Sequence, residues 1–178
     1  MTRAILISIR PEWVNKIVTG KKTVEIRKTK PNLETPFKCY IYETQGKSDT
    51  PWIDEDGHMI FRGCGKVVGE FVCDRITGIT LESMPHPELA GWTEYWYEWE
   101  EDDLKLKSCL TYNQIDEYLN RKEGYAWHIT NARIFYPFPV ELSEFTGVRA
   151  SGTWLEQYKI QRAPQSWCYV EELGNGGL

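Results

Sequence analysis

The sequence lacks the patterns that mark disulfide-linked and zinc-binding proteins. Its five cysteines are an odd number at wide spacing, and no two of them form a C-x-x-C pair. The three histidines stand at no zinc-ligand spacing from a cysteine pair. We therefore expect reduced, mostly buried thiols, and neither a metal nor a cofactor.

Long hydrophobic runs are also missing. The apolar run near the start, residues 4–9, is too short for a signal-peptide core and far too short to span a bilayer. The sequence predicts a cytoplasmic protein that has no membrane partner.

An excess of positive charge is absent too, since 21 basic residues face 26 acidic ones, for a net charge of −5. This balance excludes a protein that coats DNA non-specifically. Residues 1–30 nevertheless carry eight basic and two acidic side chains, so +6 in this segment leaves −11 for the remainder. A positive site on an acidic body suits a short anionic ligand, although a solvated lysine-rich edge would have the same composition.

Aromatic residues are plentiful by contrast. Eight tryptophans and ten tyrosines in 178 residues supply a core, and they also suit a surface that stacks planar ligands. The length fits one domain, which we predict over residues 1–173, followed by a flexible tail at 174–178.

Hydrophobic periodicity predicts more strand than helix. The predicted strands are residues 3–9, 23–27, 37–43, 59–62, 66–76 with a bend near Gly69 and Glu70, 125–136 and 166–170. The predicted helices begin at Pro11 and end at Gly20, cover 112–119 between Thr111 and Gly124, and cover 154–158. This pattern predicts an α+β, barrel-like domain.

Residues 80–110 differ in composition and are predicted to be an insertion or a lid. Trp92, Trp96 and Trp99 have the spacing i, i+4, i+7, which predicts a helix. Such a stripe either packs the helix onto the domain, or it belongs to an acidic surface at residues 92–103 that meets a basic protein partner.

The most informative segment is residues 20–27, GKKTVEIR. Glu25 and Arg27 stand two apart on a strand, so they project from one face about 6–7 Å apart, and Lys22 lies in the turn before them. Arginine grips a phosphate or a base edge, lysine supplies a charge or a nucleophile, and glutamate accepts a base amino group or a proton. A salt-bridge lattice on an exposed sheet face would give the same spacing.

This segment resembles the ASCH signature G-x-K-x-x-E-x-R, which Gly20, Lys22, Glu25 and Arg27 match residue by residue. Residues 5–11, 69–71 and 125–129 resemble further strands of the family. Residues 162–167 resemble the C-terminal end of bacterial and phage-borne members. The resemblance extends over roughly residues 3–172.

The resemblance implies a PUA-like mixed β-barrel, with a cleft between the signature strand and a neighbouring helix, that binds RNA or a modified nucleotide. Trp127 and His128 lie on a strand that could line the cleft, although a lone strand histidine is more often structural. Glu70 is expected to pair with Arg27, and the resemblance alone suggests that Arg162, Gln165 and Ser166 close the site. The full set of expected ligand-binding residues is Ser8, Arg10, Lys21, Lys22, Glu25, Arg27, Glu70, Trp127, His128, Arg162, Gln165 and Ser166.

Two other functions stay open. The chain could be a metal-independent hydrolase, because some small ASCH members resemble enzymes that remove the acetyl group of acetylcytidine and others are linked to RNA cleavage. Lys22 matches the catalytic lysine of the deacetylating members and Glu25 would carry the proton, although those members have threonine at the position of Glu25. Alternatively, the chain is a protein-interaction module that uses residues 92–103. The oligomeric state is not predicted.

Overall fold

The computed structural model describes residues 2–45, 52–53, 59–60, 63–100, 102–135, 137–151 and 154–174. These residues form eleven strands and three α-helices. The strands are β1 Arg3–Ile9, β2 Val24–Arg27, β3 Phe37–Glu43, β4 Trp52–Ile53, β5 Met59–Ile60, β6 Val67–Pro85, β7 Thr93–Trp99, β8 Gly124–Ile134, β9 Thr146–Ser151, β10 Trp154–Lys159 and β11 Trp167–Glu171. The helices are α1 Pro11–Val18, α2 Leu104–Ser108 and α3 Tyr112–Leu119, and one 3-10 turn lies at Leu142–Glu144.

Nine of the strands form one mixed sheet in the order β10-β9-β11-β1-β3-β6-β8-β2, with β7 paired to the far half of β6. Strands β1 and β3 are parallel, and the other pairs in this sheet are antiparallel. Within the described part of the chain, the short strands β4 and β5 pair only with each other. The α+β class is confirmed, but no ladder between β10 and β2 is present among the described residues, so the expected barrel is an open one.

Strand β1 is central, and both of its faces are buried. Ile5, Ile7 and Ile9 pack into one core together with helix α1, while Ala4 and Leu6 pack into a second core on the other face. Full burial of one large aliphatic side chain stabilises a fold by roughly 1.5–3 kcal/mol. A strand buried on both sides reads as a continuous apolar run, which is why the sequence predicted β1 correctly.

Helix α1 begins with Pro11 at its first position, and it buries Val14 and Ile17 against the sheet. Gly20 follows the helix with φ +73°, a left-handed conformation that favours glycine. The Lys22 amide then donates to the Lys16 carbonyl at 2.9 Å. This turn fixes the position of Lys22 relative to the end of helix α1.

Strand β2 turns its two kinds of side chain to opposite faces. Val24 and Ile26 pack with Ile115 and Leu119 of α3 in a third core. Glu25 and Arg27 therefore point the other way, to the face that also carries Trp127 of β8, which lies directly opposite Glu25 in the ladder. The alternation predicted for this strand is confirmed, and it aims both charged side chains at the region between β1 and α1.

The helix predicted from Trp92, Trp96 and Trp99 is wrong. Residues 93–99 form β7, which pairs with the second half of the 19-residue strand β6. Tyr97 and Trp99 join the third core, and Trp96 lies on the opposite face of the strand. The sequence therefore has the alternation of a strand at these positions, although the three tryptophans alone have the spacing of a helix. Aromatic residues favour strands, and the extended β6 supplies an edge on which β7 forms.

Two smaller predictions are also corrected. Residues 154–158 form part of strand β10, in a hairpin with β9, and not a short helix. Asn120, with φ 55°, ends helix α3 in place of Gly124. Gly124 begins β8, where a Cβ atom would lie 2.6 Å from Leu119 Cδ2. Residues 175–178 of the tail predicted at 174–178, and residues 61–62 of the strand predicted at 59–62, lie outside the described residues, whereas Met59–Ile60 form β5.

Most of the other predictions are confirmed. Thr111 caps α3 in a capping box with Gln114, and the register of β6 shifts next to Glu70, as expected for a bulge. All five cysteines are free, but only Cys39 and Cys73 are buried, so the expectation of mostly buried thiols is wrong. No helix among the described residues has the length and apolar character needed to cross a membrane.

Candidate functional site

Lys22, Glu25 and Arg27 form one buried ionic cluster. The Glu25 carboxylate accepts from Lys22 Nζ at 3.1 Å through Oε2, and from Arg27 Nη2 at 2.8 Å through Oε1. The side chains of Lys22 and Arg27 are only 2% and 7% exposed. The expectation that strand spacing would bring the three groups together is met, and they are not part of an exposed lattice.

The cluster holds Glu25 as a carboxylate. Burial alone would raise the pKa of Glu25, but the charges of Lys22 and Arg27, together with hydrogen bonds from both, outweigh burial and lower the pKa below its ordinary value. A carboxylate of lowered pKa is a weak base. Its main role in this arrangement is to hold two cations in fixed positions.

Lys22 is fixed from two further directions. Its ammonium donates to the Ser108 carbonyl at the end of α2 at 2.7 Å, and Nζ lies 5.3 Å from the centre of the Trp13 ring on α1. Both contacts suit a cation. Helix α1, strand β2 and helix α2 therefore meet at this one side chain.

Arg27 connects the cluster to β1 and to the C-terminal segment. Its Nη2 donates to the Ser8 carbonyl at 2.8 Å, and Nη1 faces Ser166 Oγ at 3.2 Å and the Ser166 carbonyl at 3.4 Å. Ser8 Oγ in turn donates to the Pro164 carbonyl at 2.6 Å. The Nε group of Arg27 is buried and has no hydrogen-bond partner within the described structure.

The cluster lies at the base of a cleft of about 670 Å³. One wall comes from the end of β1 and from α1, with Arg10, Glu12 and Trp13, and the other wall comes from one face of α3. The side chains on that helix face are Gln114, Glu117 and Tyr118. Lys28, which lies 5.2 Å from the centre of the Tyr118 ring, stands at the rim.

Seven of the expected site residues meet at this cleft. Six of them line it, and Ser166 contacts Arg27 directly. The six are Ser8, Arg10, Lys22, Glu25, Arg27 and Gln165.

The other five expected site residues lie elsewhere. Trp127 is fully buried in the first core, and Lys21 is exposed beside the cleft, where its carbonyl accepts from Cys109 Sγ. His128 lies between Arg75 and Thr77. Arg162 belongs to a separate depression beside β10 and β11.

The expected pair between Glu70 and Arg27 does not form. Glu70 accepts instead from Arg133 Nε at 2.7 Å and lies 3.6 Å from Lys38 Nζ. The register shift next to Glu70 on β6 aligns it with Arg133 across the ladder to β8. Glu70 and Glu25 thus belong to separate ionic clusters.

The sequence reasoning missed seven of the residues that lie at the site, namely Glu12, Trp13, Lys28, Ser108, Gln114, Glu117 and Tyr118. Trp13, Ser108, Gln114 and Tyr118 come from three helices, and Ser108 lies 86 residues from the side chain it contacts. The polar face of α3 carried a usable signal, because its polar residues alternate at helical spacing with the buried Ile115 and Leu119. No local signal pointed to Ser108.

The histidine, cysteine and acidic side chains of the described residues bear on two further kinds of chemistry, metal binding and catalysis by a thiolate. Within the residues that the structure describes, no group of three or more metal-binding side chains converges. Burial raises the pKa of Cys73 to about 12, so this thiol near His128 stays protonated at neutral pH.

The ASCH domain family model matches residues 7–139. The fold is similar to the crystal structure of the ASCH protein of Zymomonas mobilis, with 18% identity over 95% of this chain and 88% of that chain, and a TM-score of 0.54. The structure of its tyrosine-to-phenylalanine variant is 18% identical over 95% of this chain and 91% of that chain, with a TM-score of 0.55. The structure of its serine-to-alanine variant is 18% identical over 95% of this chain and 89% of that chain, with a TM-score of 0.52. At this identity the likeness shows the fold alone, which confirms the PUA-like class.

No curated protein matches the sequence. The family match, however, covers more than half of the chain and includes the whole signature segment. The chain therefore belongs to the ASCH family, a PUA-like family generally thought to bind RNA.

Proposed function

We propose that this protein binds a short single-stranded RNA segment or a modified nucleotide in the cleft above Lys22, Glu25 and Arg27. The observation that carries the proposal is a buried ionic cluster at the base of an open cleft. Replacing a buried ion pair by apolar side chains is often neutral or stabilising. A cluster kept at this cost beside a cleft is a functional-site candidate.

The size and lining of the cleft support the same proposal. Its volume of about 670 Å³ lies within the range of small-ligand sites. Four cationic side chains face three acidic ones in the lining, although the whole chain carries −5. The rings of Trp13 and Tyr118 flank the cluster and suit the stacking of a base.

Hydrolysis is the second candidate, because Lys22 and Glu25 stand side by side in an accessible cleft. In the observed contacts, however, Lys22 acts as a hydrogen-bond donor to Ser108 and Glu25. Glu25, with its lowered pKa, is a weak general base. These contacts favour binding over turnover, and the mixtures of the binding experiment are to be checked for product.

The test uses the rim of the cleft, because substitutions within the buried cluster endanger folding. Arg10 and Lys28 are exposed, so their double replacement by alanine should leave the fold intact. Binding of a labelled single-stranded RNA of about eight nucleotides is measured by fluorescence anisotropy across a salt series. We expect about tenfold weaker binding and a salt slope that is smaller by about two.

The matched control is Arg149→Ala, which removes an exposed cation on β9, away from the cleft. Its affinity should equal that of the unchanged protein. Equal affinity of the double variant and this control would contradict the proposal. Product that forms with the unchanged protein and is lost in Lys22→Ala would instead favour the hydrolase.

A further inference from the structure

The base of the cleft has spare hydrogen-bond donors and almost no spare acceptors. Of the three N–H bonds of Lys22, one donates to Ser108 and one to Glu25, and the third has no further hydrogen-bond acceptor among the described residues, although the Trp13 ring lies 5.3 Å from Nζ. Arg27 uses both of its Nη groups, but its buried Nε has no partner there. Two cationic donors without a hydrogen-bond acceptor among the described residues therefore belong to side chains that line the cleft.

The wall formed by α3 adds neutral donors. The side-chain oxygen of Gln114 accepts from the Thr111 amide at 2.8 Å, which leaves the NH₂ group of Gln114 for the cleft. Burial raises the pKa of Tyr118 against the charge of Arg27 and against hydrogen bonds from Arg27 and the Lys28 backbone. The Tyr118 oxygen therefore faces donors, and its own proton remains to be donated to a ligand.

The acceptors at the base are already occupied. Each oxygen of Glu25 accepts from a cation, and the carbonyls of Ser8 and Ser108 accept from Arg27 and Lys22. Two cations against one carboxylate leave a net charge of +1 on the cluster. A ligand group that satisfies this surface must supply acceptors and negative charge.

From this inventory we infer that the cleft binds its ligand through a phosphate group, held by Lys22, Arg27 and the Tyr118 hydroxyl. The inference rests on the proposed function and narrows it, because it selects nucleotides and RNA over neutral nucleosides. A phosphate supplies several acceptor oxygens and the charge that the cluster lacks. A base amino group would meet donors where it needs acceptors.

The experiment is a calorimetric titration with each nucleoside, its 5′- and 3′-monophosphates, and inorganic phosphate. We expect the better monophosphate of each base to bind at least ten times more tightly than its nucleoside, and inorganic phosphate to compete with it. Equal affinity of nucleoside and nucleotide would overturn the inference.

Tyr118→Phe is the matched variant, because it removes one hydroxyl and keeps the ring on the half-exposed face of α3. We expect it to lower nucleotide affinity about three- to fivefold, with nucleoside affinity unchanged. An equal loss for both ligands would place the Tyr118 hydroxyl on the base or the sugar, which the two ligands share, and would count against the inference. RNA binding without any preference for phosphate overturns this inference only, whereas failure of RNA, nucleotides and nucleosides alike overturns the proposed function as well.

Discussion

The two buried glutamates of the sheet, Glu25 and Glu70, look alike in isolation. Each is 8% exposed and each meets two cations. The partners of Glu25, Lys22 and Arg27, are as buried as the glutamate itself. The partners of Glu70 reach water, since Arg133 is 58% exposed and Lys38 also pairs with Glu172 near the chain surface.

This difference separates a structural cluster from a functional candidate. The cations around Glu70 keep much of their hydration, so that cluster joins β3, β6 and β8 at modest desolvation cost. The cations around Glu25 have lost theirs, and only compensating contacts make such a cluster tolerable. The cluster around Glu25 also borders a cleft, and Glu70 does not line that cleft.

The largest expected contrast comes from neutralising each glutamate in turn. Glu25→Gln leaves two buried cations without a counter-charge, so we expect a loss of about 3–5 kcal/mol in the free energy of unfolding. Glu70→Gln should cost about 1 kcal/mol, because its partners can turn to solvent. Urea denaturation of both variants measures the difference, and equal losses would show that the two clusters are equivalent.

Acid should act mainly through the cluster around Glu25. Its lowered pKa means that the unfolded chain takes up this proton more readily than the folded one. The stabilisation is therefore complete above the ordinary value of 4.5 and is lost as the pH falls through the lowered pKa. Urea midpoints from about pH 6 to about pH 3 should fall more steeply for the unchanged protein than for Glu25→Gln.

A smaller effect of opposite sign is expected from Lys38 in the cluster around Glu70. Partial burial would lower the pKa of Lys38, but the hydrogen bond to Glu172 and the neighbouring negative groups raise it overall. The resulting stabilisation is present below the ordinary value of 10.5 and is lost as the pH rises through the raised pKa. Alkaline unfolding of Lys38→Met beside the unchanged protein tests this, and identical curves would contradict it.

The smallest effect is expected at the edge of the Glu25 cluster. Ser166→Ala removes the hydroxyl partner of Arg27 Nη1, while the Ser166 carbonyl and the Ser8 carbonyl still hold the guanidinium. We expect a loss of at most about 1 kcal/mol in stability and a two- to threefold loss in RNA affinity by anisotropy. A tenfold loss would mean that the C-terminal segment contacts the ligand itself.

The sequence predicted those parts of the molecule whose cause is local. The alternation in residues 24–27, the helix that begins at Pro11, and the capping box at Thr111 each depend on neighbours a few residues away. The signature could therefore be placed on a strand with its charged side chains on one face. That prediction, together with the cleft beside them, agrees with the structure.

The rest of the site depends on contacts that no local pattern encodes. The Ser108 carbonyl reaches Lys22 across 86 residues, and Ser166 reaches Arg27 across 139. The choice of Arg133 over Arg27 as the partner of Glu70 follows from the register of β6 against β8. The strand at β7 was missed because tertiary pairing overrode a helical spacing of tryptophans.

The position of β1 also bears on how the protein forms during synthesis. This strand is translated before both of its neighbours in the sheet, β3 and β11, and β11 begins only at Trp167. One edge of the apolar strand β1 therefore stays unpaired until β11 has been translated. Arg27 likewise contacts Ser166 only once that segment has been made, so a nascent chain that stalls before residue 166 would expose both an unpaired apolar strand edge and an incomplete cleft.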